Sequence, residues 1–297
     1  MKIPPYISTL IPIIFSYIPP LMVFKFYNSR IKGRKSPLNI ELLRSPGDSI
    51  QEQIIDINDD IVLYLFLMPV IPIIIYSAFL PNLVSQGKIP ATVMILSVST
   101  ALLITFYLGM KIYLLMQKKN KLRLGLECEK AIGQALSGLM KYGFHVYHDL
   151  QAGDFNIDHI AIGPTGVFSI ETKGRSKAAK TGNSNWKVDF DGKKLIFPGW
   201  EETKPIDQAV NQARWLKQFI QKSTAEQIKV TPVIALPGWY ITRKAKSEIL
   251  TINGKNIDFM AQGARVLTDK QIQSISFQLK KMCLDNSPRS YQKIVVQ

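Results

Sequence analysis

Cysteine is nearly absent from this chain and histidine is almost as scarce, at two and three residues in 297. Cys128 and Cys283 cannot build a disulfide framework, and their spacing is not one that metal ligation uses. His145, His148 and His159 fall on short strand-like stretches. His145 and His148 are three apart, so in a strand they face opposite sides and no Cys/His zinc site can be drawn. Each histidine reads as structural or surface. No Gly-rich phosphate loop, G-x-S-x-G elbow or dinucleotide fingerprint occurs, nor any internal repeat or low-complexity segment. Acidic residues are also short, 22 against 37 basic, which gives a formal charge of +15 and a pI of about 9.7. Such an excess attracts phosphate backbones or anionic lipid headgroups.

What is plentiful is apolar sequence, concentrated in residues 1–116. Ile61–Leu80 and Ala91–Met110 are uncharged runs of helical length for a hydrocarbon core of about 30 Å. The short Pro81–Pro90 linker makes them a helical hairpin, with Pro69 and Pro72 expected to kink the first helix. Ile3–Phe24 is also uncharged but carries five prolines, and reads as a signal anchor or a kinked, partly inserted helix. Lys25, Arg30, Lys32, Arg34 and Lys35 follow the first run. Lys111, Lys118, Lys119, Lys121 and Arg123 follow the third, while the linker holds only Lys88. By the positive-inside rule both basic flanks are expected in the cytoplasm. The expectation is a multi-pass protein of the inner (cytoplasmic) membrane, in contact with the lipid bilayer. Residues 36–60 read as a loop with one short helix and no assigned chemistry.

From residue 117 the pattern turns globular. Leu126, Ala131, Ile132, Ala135, Leu136 and Leu139 recur at helix spacing up to Gly143. Strands are expected at Phe144–His148, Phe155–Ile162 and Val167–Lys173, the last two joined by Gly163-Pro164-Thr165-Gly166. Trp186–Phe190 and Lys194–Phe197 form a further hairpin through Asp191-Gly192. A helix from Gln208 to about Lys222 and a strand at Val230–Leu236 follow. Thr268-Asp269-Lys270-Gln271 is a capping box opening a last helix to about Leu284. The domain is drawn at 117–285, with a loose tail at 286–297. Trp200 is as readily a core residue as a stacking surface for a base.

The Gly163–Gly166 turn sets a register. If Ile162 pairs with Val167, Asp158 lies opposite Glu171 on one face, and Lys173 points to the same side. Opposed carboxylates repel unless a cation stands between them. A solvated charged face neutralised by Lys173 is the alternative at this point. Arg175, Lys177 and Lys180 follow at once; they suit phosphate positioning or are simply a soluble loop surface.

Asn156-Ile157-Asp158-His159-Ile160, Gly163-Pro164-Thr165-Gly166-Val167-Phe168 and Ile170-Glu171-Thr172-Lys173 together resemble the nuclease-related domain (NERD) of the PD-(D/E)XK nuclease superfamily. The likeness extends to Gly125-Leu126-Glu127-Cys128-Glu129, the His148-Asp149 strand end, Trp186, Pro205-Ile206-Asp207-Gln208 and the strand 230–236. It covers roughly residues 120–240. The resemblance implies Asp158 and Glu171 as metal-binding carboxylates, with Lys173 orienting the attacking water. It implies that Glu129 completes or tunes the metal site and that Gln208 contacts it from the second helix. The sequence departs from the family at Cys128, where Gly is commoner, which leaves Glu127 as a rival to Glu129. Helix phase favours Glu129.

The implied fold is α/β, a restriction-endonuclease-like mixed sheet flanked by helices, behind two or three membrane helices. The implied function is Mg²⁺-dependent (or Mn²⁺-dependent) hydrolysis of nucleic acid, with DNA the expected substrate and Arg175, Lys177 and Lys180 on its backbone. The rival readings are a nucleic-acid-binding module without catalysis, and a membrane scaffold or signalling protein.

Overall fold

A continuous helix, not a loop, carries the chain into the first long apolar run. The computed structural model describes residues 18–31, 42–86, 90–177 and 186–286. Helix α1 is Ile18–Ile31, α2 is Asp48–Gln86 and α3 is Ala91–Ser137. Helix α2 runs unbroken through Pro69 and Pro72 and takes up part of the expected linker. It begins inside the segment read as a loop, since the Asp48 carboxylate accepts from the Ser45 N–H at 2.6 Å and fixes the first turn. Both α2 and α3 contain stretches long and apolar enough to cross a membrane. Val62, Leu63, Leu65, Leu102, Leu103 and Phe106 are left exposed on them. Most of the Ile3–Phe24 run, together with Lys88 and the tail beyond 286, lies outside the described residues.

The contacts divide the chain into two compact units. One takes in 55–119, the other 120–293 together with 41–54. The second unit thus contains a segment that the sequence places with the membrane region. It is built on two mixed sheets. Strands β1 (His145–Gln151), β2 (Asn156–Gly163) and β3 (Gly166–Thr172) are antiparallel neighbours. Strands β4 (Lys187–Phe190), β5 (Leu195–Phe197) and β6 (Trp200–Glu202) follow, then helix α4 (Lys204–Thr224). The chain closes with β7 (Val230–Ala235), β8 (Tyr240–Arg243), β9 (Leu250–Ile252) and α5 (Asp269–Asp285). The larger sheet has the order β1-β2-β3-β7-β9, parallel from β3 onward; the smaller is β6-β5-β4-β8.

Three apolar clusters hold these layers. Leu150, Ile157, Ile160 and Ile162 meet Leu216 and Ile220 of α4 and Ile275 and Leu279 of α5. On the opposite face Ala161, Ile170 and Val233 meet Ile132 and Leu136 from the C-terminal part of α3. Val188, Phe190, Leu195 and Phe197 pack beneath Ile206 and Ala209. The α5 capping box forms as its sequence predicts, with Thr268 and Gln271 exchanging bonds.

The β2–β3 register is the one the turn dictates, Ile162 opposite Val167 and on to His159 opposite Ile170. The β1–β2 ladder is interrupted once, between His148↔His159 and Leu150↔Ile157. The couple it skips is Asp149 and Asp158. Tyr147 and Leu150, three apart, both enter the same core, as do Ile157 and Ile160, so side-chain alternation breaks at this point. Asp149 has φ +49, the left-handed region that a non-glycine residue enters at a cost.

Candidate active site

Every residue of β3 is buried. A carboxylate on such a strand needs partners, and Glu171 has two. The Lys173 ammonium forms an ion pair with its Oε1, and Gln212 Nε2 donates to its Oε2 at 2.5 Å. One residue past the last ladder pair, Asp158 Oδ2 accepts from the Thr172 N–H at 2.7 Å. The hairpin therefore brings Asp158, Glu171 and Lys173 together, as the register requires.

A third carboxylate enters from α3. Glu129 is 5 % exposed and its Oε2 has no hydrogen-bond partner among the described residues, whereas Glu127 is exposed and paired with Arg123 at 3.1 Å. The inward position that helix phase assigns is thus Glu129. The close approach of α3 to the end of β3 depends on Gly174. A Cβ there would lie 3.1 Å from Cys128 Sγ and 3.2 Å from the Leu124 carbonyl oxygen. Cys128 occupies that contact.

The carboxylates shape one another's protonation. Burial, then the neighbouring Glu171 and Glu129 charges, hold Asp158 well above the ordinary carboxylate range. Burial first, then Asp149 and Glu171, push Glu129 up to about 8. Among the described residues one ammonium, Lys173, serves this group, so an added cation is electrostatically welcome. Among the described residues no three His, Cys, Asp or Glu side chains have metal-holding geometry. Asp158 and Glu171, with water completing the shell, remain a donor pair of the oxygen-only kind that Mg²⁺ accepts.

Other expected site residues fall elsewhere. Gln208 lines an open cleft of about 520 Å³ with Lys173, Arg175, Glu202 and Lys204. The glutamine on Glu171 is Gln212, one turn further along the buried face of α4. Arg175 makes a two-pronged pair with Glu202 (2.8 and 2.6 Å), and Trp200 donates to the same carboxylate at 3.0 Å. Lys177 Nζ donates to the Gly238 carbonyl at 2.6 Å and lies over the Trp239 ring. Both cations are engaged within the protein, and Lys180 is outside the described residues. The His148 and His159 rings meet edge-on, with their Nδ1 atoms 2.9 Å apart. Burial brings His148 down to about 4 and His159 well below the usual range, so the pair is neutral and structural.

In the comparison with protein families, residues 124–237 fit the model for the nuclease-related domain. This segment is a NERD domain. No curated protein and no solved structure matches the chain. The NERD segment takes in Glu129, Asp158, Glu171, Lys173 and Gln212, and it ends two residues after β7. Gln212 was the site residue that sequence reasoning passed over. Its signal was present: a glutamine on the stripe of Ala209, Ala213 and Leu216, where a polar side chain must find a buried partner.

Proposed function

We propose that the NERD domain hydrolyses phosphodiester bonds of nucleic acid, DNA in the first instance, with Mg²⁺ or Mn²⁺. The observation that carries this reading is the convergence of two desolvated carboxylates and an ammonium, Asp158, Glu171 and Lys173, at one strand end. Asp158 and Glu171 would hold the cation, which when bound polarises a phosphoryl oxygen and lowers the pKa of water. Lys173 Nζ, paired with Glu171, would donate to the attacking water or to a phosphoryl oxygen and offset charge there. Gln212 holds the Glu171 carboxylate in orientation. Glu129, whose carboxyl is raised to about 8 in the metal-free fold, would give up its proton more readily beside a bound cation and then add negative potential there. The open cleft beyond Lys173, with Lys204 on its wall, offers a path for a phosphate backbone.

We further propose that α2 and α3 cross the inner membrane as a hairpin and that the NERD domain stands in the cytoplasm. The basic flank Lys111–Arg123 and the exposed apolar faces of both helices support this.

A second reading, a nucleic-acid-binding module without catalysis, is favoured by one observation. Both oxygens of Glu171 are already engaged, by Lys173 and Gln212. The experiment that separates the two incubates the purified full-length protein in detergent with single- and double-stranded DNA and RNA, in Mg²⁺ or EDTA. Metal-dependent fragments support the nuclease. Retention of nucleic acid without cleavage under all conditions supports the binding module.

A further inference from the structure

Residues 44–49, just ahead of the apolar part of α2, are packed into the same unit as the carboxylate site. Arg44 donates from Nε at 3.1 Å and Nη2 at 2.7 Å to Oδ2 of Asp149, a fully buried carboxylate. Its Nη1 donates to the Asn286 carbonyl at the C-terminal end of α5, 2.9 Å away. The Ser49 N–H (2.6 Å) and hydroxyl (2.7 Å) also donate to Asp149. Asp149 is the left-handed residue at the break in the ladder, opposite Asp158. Such a backbone persists only where its surroundings over-determine it, and these donors do so.

From Asp149 the network leads to the site. Asn156 Nδ2 donates to Asp149 Oδ1 at 2.7 Å. The Asn156 carbonyl accepts from Gln212 Nε2 at 3.0 Å, and that same nitrogen holds Glu171. Asn156 also opens β2 two residues before Asp158. On the other side the segment lies over the face of α3 that carries Glu129. A side chain at Gly133 would collide with Pro46, and a Cβ at Gly47 would stand 2.5 Å from Leu126 Cδ1 and 3.5 Å from Glu129 Oε2. Gly47 has φ +78, a backbone conformation that L side chains rarely adopt and that favours glycine there.

We propose that residues 44–49 form a strap that completes the carboxylate site, with Arg44, Asp149 and Asn156 as positioning residues that set where Asp158 and Glu171 stand. The kinetic consequence rests on the nuclease reading; the geometric one does not. The strap is continuous with α2, so the segment that leads into the apolar run also orders the site.

The test uses the full-length protein in detergent micelles. Arg44→Lys keeps the charge but loses the fork, and Asn156→Ala cuts the link while leaving the ion pair. Four quantities are read: thermal unfolding, Mn²⁺ affinity by calorimetry, kcat and KM for cleavage, and amide exchange across 156–173. Variants that still unfold cooperatively should lose about ten- to a hundredfold in Mn²⁺ affinity or kcat, with KM little changed and faster exchange in 156–173. If Asn156→Ala does not fold, Ser49→Ala, which removes one donor to Asp149, replaces it. Exchange altered only within 42–54, with Mn²⁺ affinity and kcat unchanged, overturns the strap. If the parent cleaves nothing, the nuclease reading falls while Mn²⁺ affinity and exchange still decide the strap. If the parent also binds no Mn²⁺, unchanged exchange across 156–173 overturns it.

Discussion

Glu129 is the residue whose titration reports the site most simply, because among the described residues no hydrogen bond satisfies its Oε2 and burial is the largest influence on it. Its carboxyl is raised from 4.5 to about 8 in the fold. A raised carboxyl stabilises the fold fully below its unfolded value, and that contribution is lost as pH rises through the folded value. Metal-free protein should therefore lose stability between about pH 5 and 8, and Glu129→Gln should flatten that fall. Melting temperatures in EDTA across this range check it, and equal slopes in parent and variant would remove Glu129 from the account. The two glutamines of α4 should also separate. Gln212→Leu should lower kcat and Mg²⁺ affinity through Glu171, whereas Gln208→Ala should act on KM from the cleft wall. Asp158, Glu171 and Lys173 were legible from sequence because one turn fixed their register. Gln212 was hidden by its neighbour Gln208, which carried the family pattern, and its buried partner lies 41 residues away.

At the scale of elements, loops and helix ends hold what the sequence could not announce. Period-2 and period-3.6 patterns exposed β1–β5, α4, β7 and α5. Strands β6, β8 and β9, three or four residues each, carry too little pattern to stand out. The strap was equally silent, since Arg44 and Asp149 are 105 residues apart and no local period links them. Its energetic weight follows from burial. Arg44→Ala would leave the Asp149 carboxylate buried without its cation, at a cost of about 3–5 kcal/mol, readable by denaturant unfolding. A chain shortened to begin at residue 117 should suffer the same loss. The loop after β3 is different, because Arg175 is already held by Glu202. Arg175→Ala should leave the salt dependence of nucleic-acid binding almost unchanged, while Glu202→Gln should free the guanidinium and steepen the slope by about one unit. A loss of slope in Arg175→Ala would return that arginine to the phosphate backbone.

For the whole molecule, hydropathy and charge carried the division into an apolar N-terminal part and a globular C-terminal part. They missed that residues 41–54 belong to the latter. Topology is open to labelling, because both native thiols are buried and burial pushes the Cys283 thiol up to about 12. An impermeant thiol reagent on intact cells should label Ser85→Cys and spare Lys141→Cys; the reverse pattern would invert the proposed orientation. The central claim is that Asp158 and Glu171 are crowded together for a cation's sake. Asp158→Asn tests it most directly, through cleavage rate in Mg²⁺ and melting temperature in EDTA measured on the same preparation. The account predicts opposite signs: cleavage falls by about a thousandfold or more, while the metal-free fold becomes more stable as the repulsion is relieved. Cleavage at the parent rate, or a metal-free fold weakened by the substitution, would contradict it.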